Sequence, residues 1–162
     1  MTPRGRSRST ASRSSTPPSA ARPTPTPLDV AARLLTRAPR TEAELEARLV
    51  ARGYQKATAA RTVERCRELG YVGDERLAHE RARALRARGA GSLKIAADLA
   101  GRGLDEALVD AAVEASLDGE PEAAWARRVL ARAHATGPGA WRLLAGRGFP
   151  ENVVTDVVGD LE

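Results

Sequence analysis

The sequence predicts an all-α protein in which three tandem three-helix repeats form an elongated, curved array behind a disordered N-terminal tail. Three observations support this fold class. Helix-forming Ala, Leu, Arg and Glu dominate from residue 28 onward, glycine and proline interrupt them at short intervals, and Arg-Gly followed by a large apolar residue occurs three times. No stretch alternates apolar and polar residues in the way of a half-buried strand.

Residues 1–27 are the predicted tail. They hold six Pro, six Ser, five Thr and five Arg, no Asp or Glu, and only Met1 as a large apolar residue. Such a composition cannot bury enough apolar area to offset the entropy lost on ordering, so disorder is expected. A solubilising extension is the favoured role, and weak attraction to phosphates or an organelle transit peptide are the alternatives.

The body of the chain, residues 28–162, is formally neutral. The chain has 26 basic and 21 acidic residues, and five of the basic residues lie in the tail, so the body has 21 of each. A neutral body does not bind nucleic acid mainly through its overall charge. The single cysteine, Cys66, fits a cytoplasmic location, and no apolar run approaches the roughly 20 residues of a membrane-spanning helix.

Capping residues mark the predicted helix starts. Thr41-Glu-Ala-Glu44 is a capping box, with the threonine at the N-cap and the glutamate three residues later. Asp74, Ser92 and Asp105 each precede an apolar-periodic run, and their short polar side chains suit N-cap positions. These signals predict helices that begin directly after each of these residues.

The three Arg-Gly phrases align as an internal repeat on Gly53, Gly103 and Gly148, with spacings of 50 and 45 residues. Apolar residues recur at fixed offsets from each glycine: four before at Leu49, Leu99 and Leu144, ten after at Val63, Val113 and Val158, eighteen before at Leu35, Leu85 and Leu130, and one after at Tyr54, Leu104 and Phe149. A period of this length is typical of helical arrays. It divides the body into repeats of about 28–72, 73–118 and 120–162.

Each repeated glycine predicts a sharp corner between the second and third helices of its repeat. Glycine adopts positive φ at low cost, and the apolar residue after it folds back on the leucine four residues before it. The arginine that precedes each glycine, Arg52, Arg102 or Arg147, has two interpretations. It either packs its stem over the corner or faces a partner.

The segment GYVGDERLAHERARALRARGAGSLKIAADLAGRGL, residues 70–104, resembles the signature of the RecX family of recombinase regulators. RAPRTEAELEARLVARG before it and LLAGRGFPENVV after it resemble the outer repeats of that family, so the likeness covers about residues 28–161. The resemblance implies tandem three-helix repeats in an elongated, curved body. It also implies a monomeric binding protein that lodges in the groove of the RecA filament on single-stranded DNA. There it would inhibit ATP hydrolysis and strand exchange, and so modulate DNA repair and the SOS response.

A basic cluster in the middle repeat is the predicted partner-binding site. It comprises the cations on and after one helix, Arg81, Arg83, Arg86, Arg88 and Lys94, with Arg52, Arg102 and Arg147 as weaker candidates. Such a cluster can pair with acidic groups of a recombinase or with phosphates, and a solvated helix face is the alternative interpretation. The residues predicted to hold the geometry are Gly53, Gly103, Gly148 and Asp74.

The sequence does not indicate a catalytic site. The two histidines, His79 and His134, lie in different repeats, which disfavours a His/Cys metal site, and no Gly-Lys-Ser/Thr phosphate loop is present. We therefore expect no enzyme activity, no cofactor and no metal. A helical-repeat nucleic-acid-binding protein without recombinase specificity is the alternative function. It is disfavoured because Trp125 and Trp141, which could stack on bases, are predicted to fill the core.

Overall fold

The computed structural model describes residues 25–160, and within them every regular element is an α-helix. The all-α prediction is thereby confirmed. Residues 1–24 of the predicted disordered tail lie outside the described range, so the disorder stays a prediction. Thr26 is the N-cap of the first helix and Pro27 is its first residue, so the helical body begins inside the segment assigned to the tail. No helix in the described range is long and apolar enough to cross a bilayer.

The first three helices pack as one unit. The first unit consists of α1 (Pro27–Arg37), α2 (Glu42–Val50) and α3 (Lys56–Glu68). The capping box predicted at the start of α2 is confirmed: the Thr41 hydroxyl accepts a hydrogen bond from the Glu44 N–H at 3.1 Å, and the Glu44 carboxylate accepts one from the Thr41 N–H at 3.1 Å. Leu45 and Leu49 of α2 are fully buried in an apolar cluster to which all three helices contribute.

The remaining helices form two further units with the same order of packing. The second unit consists of α4 (Asp74–Ala87), α5 (Ser92–Gly101) and α6 (Glu106–Leu117), and the third of α7 (Glu122–Ala133), α8 (Gly137–Gly146) and α9 (Glu151–Gly159). In every unit the first helix packs against the third, and the second helix contacts both. Each unit has its own apolar cluster, centred on residues such as Leu99 in the second and Leu144 in the third.

The corner between the second and third helices of each unit depends on glycine. Gly53, Gly103 and Gly148 have φ angles of 93°, 80° and 78°. In the first unit the Tyr54 N–H then donates to the Leu49 carbonyl at 3.3 Å, which closes the end of α2. A residue with a Cβ is strained at these angles, which accounts for glycine in all three copies.

Two of the predicted N-caps are wrong. Gly73 and Gly91 occupy the N-cap positions of α4 and α5, and Asp74 and Ser92 are the first residues of those helices. Both polar side chains bond to a neighbouring unit, which is why neither caps its own helix. The predicted cap at Asp105 is confirmed, because its carboxylate accepts from the backbone N–H three residues later at 2.9 Å.

The two tryptophans have different environments. Trp125 on α7 is 9% exposed and belongs to the core of the third unit, as predicted. Trp141 on α8 is 45% exposed, so the prediction that it fills the core is wrong. The buried residues of α8 are Ala140 and Leu144, and Trp141 is turned about 100° around the helix from Ala140.

Candidate partner-binding surface

At both junctions between units, a carboxylate caps a helix of the preceding unit. At the first junction, between the first and second units, the Asp74 carboxylate accepts from the Glu42 N–H at the start of α2 at 2.9 Å. At the second junction, between the second and third units, the Glu122 carboxylate accepts from the Ser92 N–H at the start of α5 at 2.7 Å. The N–H groups at a helix start are unpaired within the helix and carry its positive dipole end, so an anion is stabilised there. Asp74 therefore caps a helix of the preceding unit and does not cap its own helix.

At the first junction the Arg-Gly corner of the second unit lies against the start of α2. The Thr41 hydroxyl donates to the Arg102 carbonyl at 2.7 Å. The Arg102 guanidinium donates to both carboxylate oxygens of Glu44, at 2.9 and 3.1 Å. Burial and the neighbouring Asp74 carboxylate raise the pKa of Glu42, the residue between these two contacts. Both the carbonyl and the guanidinium of Arg102 are therefore bonded to residues of the first unit.

At the second junction the corner of the third unit makes the corresponding contact. The Gly91 N–H donates to the Arg147 carbonyl at 2.9 Å, and the Leu93 N–H donates to the Gly148 carbonyl at 3.0 Å. The Arg147 guanidinium donates to the Arg88 carbonyl at 3.0 Å. In the second and third units the repeated Arg-Gly phrase is thus a junction element. The role of Arg102 and Arg147 is structural, as the first of the two interpretations held, but their contacts are with the preceding unit and not with their own corner.

Arg86 is not available to a partner. The residue is 6% exposed, and its guanidinium donates to the Glu122 carboxylate at 3.3 Å, the Ser116 hydroxyl at 3.2 Å and the Ala90 carbonyl at 3.4 Å. A buried guanidinium needs such partners because an unpaired buried charge is costly. The prediction that Arg86 binds a partner is therefore wrong, and the residue belongs to the buried ion pair of the second junction.

Arg81 is also paired within the chain. Its guanidinium forms two hydrogen bonds to the Asp98 carboxylate, at 2.9 and 2.8 Å. The hydrogen bond from Arg81 holds the pKa of Asp98 below its ordinary value, and the same bond raises the pKa of Arg81. The two side chains are 38% and 27% exposed, so a partner could reach the pair but would meet a cation that Asp98 already neutralises.

The other four predicted cations are exposed. Their side chains form no hydrogen bond or ion pair with any residue of the described part of the chain, and they are Arg52, Arg83, Arg88 and Lys94. A charged group that is solvated and unpaired can pair with a partner without first breaking an internal contact. These four residues are therefore the predicted cations that the fold leaves open.

Three arginines surround a cavity at the second junction. Arg88, Arg132 and Arg147 line a cavity of about 240 Å³, and none of its lining residues is acidic. The Arg132 guanidinium lies 5.5 Å from the centroid of the Trp125 ring, a cation–π distance that holds it in place. We call these three arginines the junction cluster. The backbone and Cβ of Lys94 lie against Gly148 at the same junction.

Arg132 is not among the predicted cations, although the sequence contains a signal for it. The predicted cations lie in the middle repeat and at the Arg-Gly corners, whereas Arg132 lies on the first helix of the third unit. Arg128 and Arg132 follow Trp125 by three and seven residues, which places all three on one face of α7. An aromatic residue with two arginines at this spacing predicts cations that stack on the ring.

A second surface at this junction contains charges of both signs. A groove of about 690 Å³ is lined by residues that include Arg83, Trp125, Arg128, Asp118 and Glu120. Arg128 forms an ion pair with Glu120 and lies 5.0 Å from the Trp125 ring centroid. Because carboxylates balance the cations here, the groove attracts anions less than the junction cluster does. The predicted middle-repeat cluster is therefore divided, with Arg83 in this groove and Arg88 in the junction cluster.

Arg52 contributes to a third arginine-lined surface. It lines a cavity of about 180 Å³ with Arg33 and Arg37 of α1, over Val30 and Leu34, and no acidic residue lines it. We call Arg33, Arg37 and Arg52 the first-unit cluster.

The described residues offer no obvious metal site. Within residues 25–160 no group of three or more His, Cys, Asp or Glu side chains is placed to hold a metal ion. Cys66 is fully buried, and burial raises the pKa of its thiol, so the residue behaves as a small core side chain.

The sequence comparisons match this chain to RecX proteins. The family model for the first three-helix domain of RecX matches residues 28–66, which span the first unit. The chain is 40% identical over 100 residues to the regulatory protein RecX of Mycolicibacterium vanbaalenii, an alignment that covers 60% of this chain and 53% of that protein. It is 36% identical over 89 residues to the regulatory protein RecX of Chromohalobacter salexigens, covering 55% of this chain and 59% of that protein. The chain thus spans about half the length of the curated relatives it matches.

Solved structures support the same fold. The crystal structure of RecX from Lactobacillus salivarius matches with a TM-score of 0.66 at 16% identity, covering 83% of this chain and 94% of that chain. A second crystal structure, of a regulatory protein RecX, matches with a TM-score of 0.65 at 19% identity, covering 83% of this chain and 73% of that chain. At these identities the likeness concerns the fold alone.

Proposed function

We propose that the chain belongs to the RecX family and that it regulates homologous recombination and DNA repair by binding the RecA filament on single-stranded DNA in the cytoplasm. In this proposal the chain inhibits ATP hydrolysis and strand exchange by the recombinase. The bound chain performs no catalytic step and uses no cofactor. Its contribution is to occupy surface that the filament needs in order to change conformation.

The observation that carries the proposal is the junction cluster. Arg88, Arg132 and Arg147 lie together without a neutralising acid, and the guanidinium of Arg147 is fixed by the Arg88 carbonyl. Arginine forks pair well with carboxylates, and a pre-positioned arginine loses little entropy on pairing. Three such groups at one place favour an acidic surface on the recombinase. The predicted shape, an elongated array of units, would let further contacts reach successive subunits of the filament, and each added contact raises the overall affinity.

A titration of recombinase ATPase activity on single-stranded DNA tests the proposal. The purified chain is added at ratios from far below one molecule to several molecules per recombinase, with the DNA in fixed amount. If the chain binds the filament, ATP hydrolysis falls at well below one molecule per recombinase. If the alternative holds and the chain is a nucleic-acid-binding protein without recombinase specificity, hydrolysis falls only when the chain is abundant enough to coat the DNA.

A further inference from the structure

The Arg-Gly corner of the first unit differs from the other two corners because no unit of the described chain precedes it. In the second and third units the corner arginine contacts the unit before it, through Arg102 and Arg147. Arg52 has no such contact within residues 25–160, and a Cβ placed on Gly53 would meet nothing within 4 Å. The arginine of the first Arg-Gly phrase, Arg52, is therefore exposed, and it lines one cavity together with Arg33 and Arg37.

Positive and negative charges are distributed very unevenly along the chain. Residues 1–40 contain eight arginines and a single acid, Asp29, whereas residues 41–162 contain the other 18 basic and 20 acidic residues. Asp29 is itself engaged, since its carboxylate accepts from the Thr26 N–H at 2.9 Å and from the Thr26 hydroxyl at 2.7 Å. Two of the three cluster arginines, Arg33 and Arg37, therefore lie on the helix that follows the arginine-rich, acid-free N-terminal sequence. An asymmetry of this kind favours a polyanionic ligand.

We infer that the first-unit cluster is a site for the phosphate backbone of single-stranded nucleic acid, distinct from the recombinase contact of the junction cluster. Guanidinium groups match phosphate oxygens, and a strand offers a series of phosphates that the three arginines of the cluster can contact together. None of the residues lining the cavity is aromatic, so no stacking platform accompanies the arginines there. Binding is accordingly independent of base sequence and sensitive to salt.

The inference rests on the proposed function only for its setting, a filament on single-stranded DNA. It gives the two arginine clusters different ligands: phosphates for the first unit, and recombinase carboxylates for the second junction. An acidic protein surface is the competing ligand for the first-unit cluster. Binding to DNA in the absence of recombinase separates the two, and it also separates failure of this inference from failure of the proposed function.

The test measures binding of the full chain to a fluorescein-labelled oligothymidylate by anisotropy over a series of salt concentrations. The test variant carries Arg33→Ser, Arg37→Ser and Arg52→Ser. The matched control carries Arg48→Ser, Arg61→Ser and Arg142→Ser, three exposed arginines outside both clusters. Loss of three phosphate contacts should reduce the slope of log K against log salt by about 2, since each contact contributes about 0.7 for a single strand. The control variant should keep the slope of the wild-type chain.

A single substitution guards against misfolding of the triple variant. Arg52→Ser changes one exposed side chain, and it should reduce the slope by about 0.7 while circular dichroism stays unchanged. Equal slopes for the test and control variants would overturn the inference. So would a test variant that binds DNA normally but no longer suppresses recombinase ATPase activity, because the cluster would then bind protein.

Discussion

Replacing Arg86 with methionine removes the buried cation of the second junction and keeps an unbranched side chain in its place. The side chains of Arg86 and Glu122 are 8% and 12% exposed. Removing one member of such a pair costs about 3 to 5 kcal/mol, because the other charge stays buried. Here the Glu122 carboxylate keeps two hydrogen bonds from Ser92, and the Arg86 contacts are long, between 3.2 and 3.4 Å. We therefore expect the free energy of unfolding to fall by about 2 to 3 kcal/mol.

Urea titrations followed by two signals measure this loss and show where it acts. Both tryptophans, Trp125 and Trp141, lie in the third unit, whereas far-ultraviolet circular dichroism reports on the helices of all units. Coincident transitions of the two signals indicate a single cooperative unit. Because Arg86→Met weakens the second junction, the third unit should unfold first, and the fluorescence midpoint should fall below that of circular dichroism. Arg83→Met, on the exposed side of the same helix, is the control and should cost less than about 0.5 kcal/mol. If Arg86→Met costs no more than this control, the buried pair does not hold the units together.

Three further perturbations probe the other contacts. Thr41→Ala removes a buried hydroxyl that serves both the capping box and the first junction, and should lower the free energy of unfolding by about 1 to 2 kcal/mol in urea titrations. Gly91→Ala places a Cβ against the backbone of the third unit's corner and should lower the thermal midpoint, whereas Gly146→Ala, with open space around it, should not. The pKa of Asp98 lies below its ordinary value, so its pair with Arg81 stabilises the fold at neutral pH and is lost as pH falls through that pKa. Asp98→Asn should therefore flatten the fall in unfolding free energy as the pH is lowered below about 5, measured by urea titrations at a series of pH values.

The sequence predicted the fold class because the repeat encodes it locally. The positive φ of Gly53 and its two counterparts, and the buried leucine four residues before each, follow from helix-end geometry that involves only a few neighbouring residues. The caps at Thr41 and Asp105 are local in the same sense. The elongated, curved shape of the array remains a prediction, as does the role of the N-terminal segment.

The candidate site was harder to predict because it depends on contacts between units. Asp74 matched the pattern of an N-cap, but its carboxylate bonds to the start of a helix 32 residues earlier in the chain. Arg86 and Arg88 are two residues apart in one basic run, yet one is buried beside Glu122 and the other is exposed. A run of charges cannot show which of its members faces a neighbouring unit. Arg132 joined the site only because the third unit packs against the second.

Binding of charge-reversal variants to preformed recombinase filaments tests the central claim most directly. Arg88→Glu with Arg132→Glu reverses the two members of the junction cluster whose guanidiniums hold no junction contact, and the matched control is Arg48→Glu with Arg61→Glu. The account predicts that the junction variant binds the filament about tenfold more weakly or worse than the control, with circular dichroism and binding to free oligothymidylate unchanged. Equal affinity of the two variants for the filament would contradict it.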